Sequence, residues 1–206
     1  MVEDGTRMPT NAIYRIDENG NLSETVYDKQ RLVPFGEYVP WQEFFRATVP
    51  FMFDLLTEGA LAPGDTATVF TEGENTVGAL VCFDSIYGAL ARESVKNGAS
   101  YLVLGTSDVW FRYSEGLRIH EKHAILRAVE NGRYVARAAA TGISTVITDR
   151  GEILTETAPD VEAYTVATVI PKTDTTLYTA VGAMVTTRMS SSSCRTTPTA
   201  TSSRLS

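Results

Sequence analysis

The feature that most restricts the fold is an apolar run that stops at a thiol. Residues 77–81 carry no polar side chain and end at Cys82, and a helix is predicted from about Ser85 to Asn97, with Gly98 as its αL cap. A short apolar run bounded by turn residues reads as a buried strand. Ser100–Leu104 predicts another buried strand, and Ile119–Arg133 a second helix with apolar residues at 119, 125, 126 and 129. Tyr134–Ala140 and Ile143–Ile147 read as strands, residues 149–152 as a turn into Ile153–Leu154, and Glu162–Ile170 as a final strand. Strands alternating with helices predict a layered α/β protein.

Before that run the pattern is mostly extended. Ala12–Ile16 and Leu22–Tyr27 read as strands joined through an acidic turn with an Asn19-Gly20 step, a hairpin signal. Residues 66–82 read as two strands joined by the turn Glu72-Gly73-Glu74-Asn75. Lys29–Pro40 holds two prolines and a glycine and cannot form a long helix. Trp41–Leu56 gathers aromatic residues around Pro50. Core is the plainer expectation for it; a lid or membrane-touching surface is the alternative. From Thr186 the composition turns to serine and threonine, so a domain over residues 1–185 and a disordered tail over 186–206 are expected.

With 206 residues, the chain can form one domain with a sizeable core or a large part of a bigger one. Its net charge of −7 argues against a nucleic-acid partner, since a phosphate backbone demands a basic surface. Two cysteines, Cys82 and Cys194, in unlike settings make no disulfide framework, and two histidines make no dense metal-ligand cluster. No apolar stretch reaches 18 residues and the start lacks a secretory signal, so the chain alone reads as soluble.

Three residues could carry chemistry. Cys82 sits at a strand-to-helix elbow, where a helix amino terminus favours a thiolate and its N–H groups can hold an oxyanion. The plain alternative is an inert buried cysteine. Lys29 lies between a strand and a Pro/Gly-rich loop, and a lysine beside a thiol favours the thiolate and a negative tetrahedral intermediate. Glu37 lies in the same rigid loop. For both, a solvated surface charge is the ordinary reading. The residues taken singly suggest a thiol enzyme without naming its substrate.

Read together, these segments resemble the nitrilase, or carbon–nitrogen hydrolase, superfamily and, within it, the apolipoprotein N-acyltransferase family. Residues 27–40 are similar to that family's catalytic-lysine motif, including the VPFGEYVP extension that soluble nitrilases generally lack. Val81-Cys82-Phe83-Asp84 resembles the nucleophile motif. Residues 105–111 resemble the TNDxWF motif, with Ser107 where Asn is usual. His120 and residues 127–133 match the QH…RAxENGR helix, and residues 140–144 the NTGIS strand entry, with Ala140 replacing Asn.

The resemblance implies an α-β-β-α sandwich, incomplete at its N-terminal side, and a Glu–Lys–Cys triad. Cys82 would be the nucleophile, Lys29 the oxyanion-side cation and Glu37 a second essential acid, with Phe83, Asp84 and Trp110 near the substrate. No cofactor or metal is implied. The implied reaction is ping-pong acyl transfer. Cys82 takes an acyl chain from a phospholipid as a thioester, and the terminal amine of a diacylglyceryl apolipoprotein then attacks it. The family implies an extracytoplasmic domain at the cell membrane, joined to it by segments absent here. The family's general-base glutamate lies upstream of the lysine motif; Glu3, Glu18 and Glu24 stand in the wrong context for it. The expectation is therefore a fragment with little or no activity alone. A soluble amidase using the same thiol and an inactive remnant or binding module are the other readings.

Overall fold

A computed structural model describes residues 2–3, 6–51, 53, 59–111 and 114–182. A two-residue ladder pairs β1 (Val2–Glu3) with β2 (Thr6–Arg7), and a hairpin pairs β3 (Ala12–Ile16) with β4 (Leu22–Asp28). A short helix, α1 (Gln42–Thr48), follows the proline-rich loop. Next come β5 (Val69–Glu72), β6 (Asn75–Val81), a 3-10 turn at Cys82–Ile86, α2 (Gly88–Lys96) and β7 (Tyr101–Thr106). The order continues with α3 (Gly116–Asn131), β8 (Val135–Ala139), β9 (Thr145–Ile147), β10 (Ile153–Glu156) and α4 (Leu177–Val181).

Six strands form one sheet in the order β10-β9-β8-β7-β6-β5. The central strands β6, β7 and β8 run parallel, as expected of strands joined by helices, and the outer pairs are antiparallel. Alternation along β6 splits its side chains between two cores. Leu80 joins Leu90, Val95, Leu102, Leu104, Ala124, Ala128 and Val135 beneath α2 and α3. Val77, Ala79 and Val81 face the hairpin, packing with Tyr27, Phe70 and Ile13. The layers are therefore helices, a six-stranded sheet and a two-stranded hairpin, the α/β sandwich that the sequence predicts. Gly78 lets α2 approach: a Cβ there would stand 2.9 Å from the Ser94 Cβ and 2.8 Å from Leu102 Cδ2.

Several expectations need correction. The helix expected over 85–97 is a 3-10 turn followed by a shorter helix, because Asp84 and Ser85 bind the backbone beside Cys82. The helix expected from Ile119 begins at Gly116 and ends at Asn131, capped by Gly132 at positive φ. Glu162–Ile170 is not a strand. Backbone bonds flank it, Asp160 N to Thr141 O and Lys172 N to Ser100 O, and the Thr165 hydroxyl meets that of Thr155 on β10, but no backbone ladder forms with a described strand. The core reading of Trp41–Leu56 also fails: α1 buries no residue, and Trp41, Phe44 and Phe51 are exposed, although Phe53 is buried. Part of that segment, Cys194 and the 186–206 tail lie outside the described residues.

Candidate active site

Cys82 stands where the parallel strand β6 ends, at a φ of 47°. Among the described residues only Phe35, Trp41 and Asp160 share a positive φ without being glycine. Such a conformation costs about 1–3 kcal/mol and persists only where the surroundings hold it. Here they do. Ser85 Oγ donates to the Cys82 carbonyl at 2.8 Å, and His120 Nε2 lies 3.2 Å from the same oxygen. Asp84, fully buried, accepts from the Val81 N–H at 3.1 Å, the Arg31 N–H at 2.8 Å and the Tyr27 hydroxyl at 2.9 Å. One carboxylate thus ties the strand end to the loop after β4.

Burial pushes the Asp84 carboxyl up, against the opposing pull of those three donors and of Lys29. Burial, together with the Asp84 charge, likewise pushes the Tyr27 phenol far up, so it remains a donor.

A cavity of about 370 Å³ opens over the thiol. Cys82, Glu37, Val33, Gly105, Ser107 and Trp110 are among its walls, and Sγ lies 4.0 Å from the Ser107 carbonyl oxygen. Lys29 is buried beside it, with Nζ donating to both Glu37 oxygens at 2.7 and 2.6 Å. Glu37 also accepts from the Val33 N–H at 2.8 Å, so the proline-rich loop folds back around its own carboxylate. The structure therefore brings Cys82, Glu37 and Trp110 to one cavity, with Lys29 attached through Glu37. Asp84 is not on its walls. Phe83 packs edge-on against Tyr87, ring centres 5.6 Å apart. The chemistry available is a thiol in a part-apolar recess with an ammonium–carboxylate pair at its side. Among the described residues no group of three or more histidine, cysteine or acidic side chains could hold a metal ion.

Sequence reasoning missed what lies behind the thiol. Asp108 is fully buried; its Oδ1 lies 2.7 Å from His120 Nδ1 and its Oδ2 accepts from Arg137 Nη2 at 2.6 Å. Burial alone would raise this carboxyl, but the hydrogen bonds from His120 and Arg137 outweigh it and hold it below the usual carboxylate range. The readable signal was Arg137, a charged residue inside the otherwise apolar strand β8.

The family described as carbon–nitrogen hydrolase matches residues 1–177. Among curated relatives, the apolipoprotein N-acyltransferase of Geobacter metallireducens is 40% identical over 61% of this chain and 24% of its own length. That of Bradyrhizobium diazoefficiens is 34% identical over 84% of this chain and 32% of its own length. The chain thus spans under a third of each of these two relatives. Among solved structures, an amidase from Nesterenkonia sp. AN1 aligns with a TM-score of 0.52 at 22% identity, over 71% of this chain and 52% of that one. That likeness concerns the fold.

Proposed function

The chain belongs to the carbon–nitrogen hydrolase family, and from that premise we propose that it carries the thiol centre of an apolipoprotein N-acyltransferase-type enzyme. The observation that carries this reading is Cys82 at a strained elbow, in one cavity with the Glu37 carboxylate that holds Lys29. Relatives that share the name supply the substrate class.

The Cys82 thiolate attacks the ester carbonyl of a phospholipid; a carbon–sulfur bond forms and the bond from the acyl carbonyl carbon to the ester oxygen breaks, releasing a lysophospholipid whose alkoxide takes up a proton. Lys29, tied to the cavity through Glu37, is the cation that stabilises the tetrahedral oxyanion. Glu37 keeps the ammonium in place. In the second half, the amino-terminal amine of a diacylglyceryl lipoprotein attacks the thioester. A C–N bond forms, the C–S bond breaks, and the amine's proton passes to a base that the described residues do not identify. Asp84 acts by positioning, Phe83 through its packing on Tyr87, and Trp110 as a wall of the acyl recess. The exposed aromatics Trp41, Phe44 and Phe51 suit a domain that works against the outer face of a cell membrane. No helix of the described residues is long and apolar enough to cross one.

The test is incubation of the chain with phospholipid vesicles, followed by mass spectrometry of the Cys82 peptide. In keeping with the little or no activity expected of the chain alone, a hydroxylamine-labile acyl adduct should reach at most one per chain without turnover, and Cys82→Ala and Lys29→Met should abolish it. Turnover of short soluble amides through Cys82 would instead make this an amidase. A Cys82 that reacts no faster than in unfolded chain would make it an inactive remnant.

A further inference from the structure

His120 is buried on α3, its ring 5.5 Å from that of Phe111, and neither the thioester chemistry nor the lysine pair uses it. Its surroundings are nevertheless fully specified. Nδ1 lies 2.7 Å from Asp108 Oδ1, with Arg137 Nη2 3.3 Å away on the same side. Nε2 lies 3.1 Å from Ser85 Oγ and 3.2 Å from the Cys82 carbonyl oxygen.

The hydrogens can be counted. A carbonyl oxygen only accepts, so the 3.2 Å contact requires a hydrogen on Nε2. The single Ser85 hydroxyl hydrogen points to that same carbonyl at 2.8 Å, which leaves Oγ to accept from Nε2. On the other side Asp108 is held between the ring and Arg137, 2.7 Å from Nδ1 and accepting from Arg137 Nη2 at 2.6 Å. The ring is clamped on Asp108 and aims Nε2 at the backbone of the nucleophile.

We propose that His120 is the positioning residue of the Cys82 elbow: anchored on Asp108, it donates Nε2–H to the Cys82 carbonyl and to Ser85, and so holds the residue at positive φ with its thiol in the cavity. This rests on the reading of Cys82 as the nucleophile. Without the bond from His120, the peptide after Cys82 keeps one donor instead of two and the elbow relaxes toward the common negative-φ region, drawing Sγ away from the Glu37–Lys29 side. The role is the orientation of one backbone carbonyl and involves no proton exchange with the substrate.

The experiment measures carboxamidomethylation of Cys82 by iodoacetamide in the full chain, by peptide mass spectrometry, with the urea-unfolded chain as reference. Wild-type Cys82 is expected to react faster than in the unfolded chain. His120→Leu should slow it by about tenfold, the upper end of what goes with losing one hydrogen bond. His120→Gln, whose amide nitrogen can occupy the place of Nε2, should restore the rate to within about threefold of wild type. A merely structural histidine would not give this rescue. A folded His120→Leu chain, checked by circular dichroism, that reacts at the wild-type rate overturns the positioning role alone. Wild-type Cys82 reacting no faster than in the unfolded chain overturns the nucleophile reading and this inference with it. If His120→Leu does not fold, ¹⁵N NMR of the histidine rings decides on the unmutated chain, with His123→Gln identifying the second ring. A hydrogen on Nε2 of His120 supports the proposal and a bare Nε2 overturns it.

Discussion

Two buried aspartates flank the candidate nucleophile, and their titrations have opposite signs. Asp84 is raised by burial, so its ionisation opposes folding, and that cost grows as pH rises through its folded value. Asp108 is lowered from the ordinary 3.8 by His120 and Arg137, against its burial. Its contribution is therefore fully present above about pH 3.8 and is lost as pH falls through the folded value. Asp108→Asn removes that contribution and leaves Arg137 without its anionic partner; breaking a buried pair in this way costs about 3–5 kcal/mol. Melting temperatures measured from pH 7 down to pH 3 should start lower in the variant and fall less steeply on the acid side. A second substitution tests the same carboxylate by shape. A Cβ at Gly142 would stand 2.6 Å from Asp108 Cγ, so Gly142→Ala must displace the carboxylate from its partners. Overpacking of this kind costs about 1–3 kcal/mol, and the loss should show in urea denaturation. Gly142 lies in the Ala140–Ser144 segment noted by resemblance; its absent side chain is what leaves room for Asp108. Sequence alone could not show this, since the two residues lie on different loops.

At the scale of elements, what could be read depended on whether the determining contacts were local. The apolar run of β6 and the glycine-bearing turn before it signal their structure within a few residues, and both stand where expected. The start of α3 was missed by three residues because Glu115, its N-cap, makes no side-chain cap bond that would mark it. Residues 162–170 have the alternation of a strand, yet a strand exists only through its ladder, and here Thr165 meets β10 by a side-chain bond to Thr155 without one. Cys82, Lys29 and Glu37 were visible because each lies in a short motif. Asp108 and His120 also lie in such motifs, but their meeting with Arg137 was not visible, because a loop, a helix and a strand each supply one member. The helix-to-sheet contact offers an element-scale prediction. Gly78→Ala places a Cβ 2.8–3.0 Å from Leu102 Cδ2, Ser94 Cβ and Ala99 Cβ, and the last two cannot swing aside without moving α2 or the turn after it. A loss of about 1–3 kcal/mol is expected, read by chemical denaturation, and it should be the same at pH 5 and pH 8 because no titrating group is involved.

Across the whole molecule, apolar surface and charge point to the same mode of contact. One face of the sheet is covered by α2 and α3, while Trp41, Phe44 and Phe51 stand 75%, 61% and 84% exposed around a helix that buries nothing. Core packing does not account for such side chains, and they are the flank of the loop that carries Lys29 and Glu37. A net charge of −7 works against approach to an anionic surface, so on the proposed function contact with lipid would come from these rings and not from charge. The chain should therefore float with zwitterionic phospholipid vesicles, and less so as anionic lipid is added at low salt. Replacing Trp41, Phe44 and Phe51 together by serine should abolish flotation while changing stability by only about 0.5 kcal/mol per site, the usual range for exposed positions. If the triple variant floats as well as wild type, the rings do not make the contact. If it loses several kcal/mol in a melt, they are core residues after all.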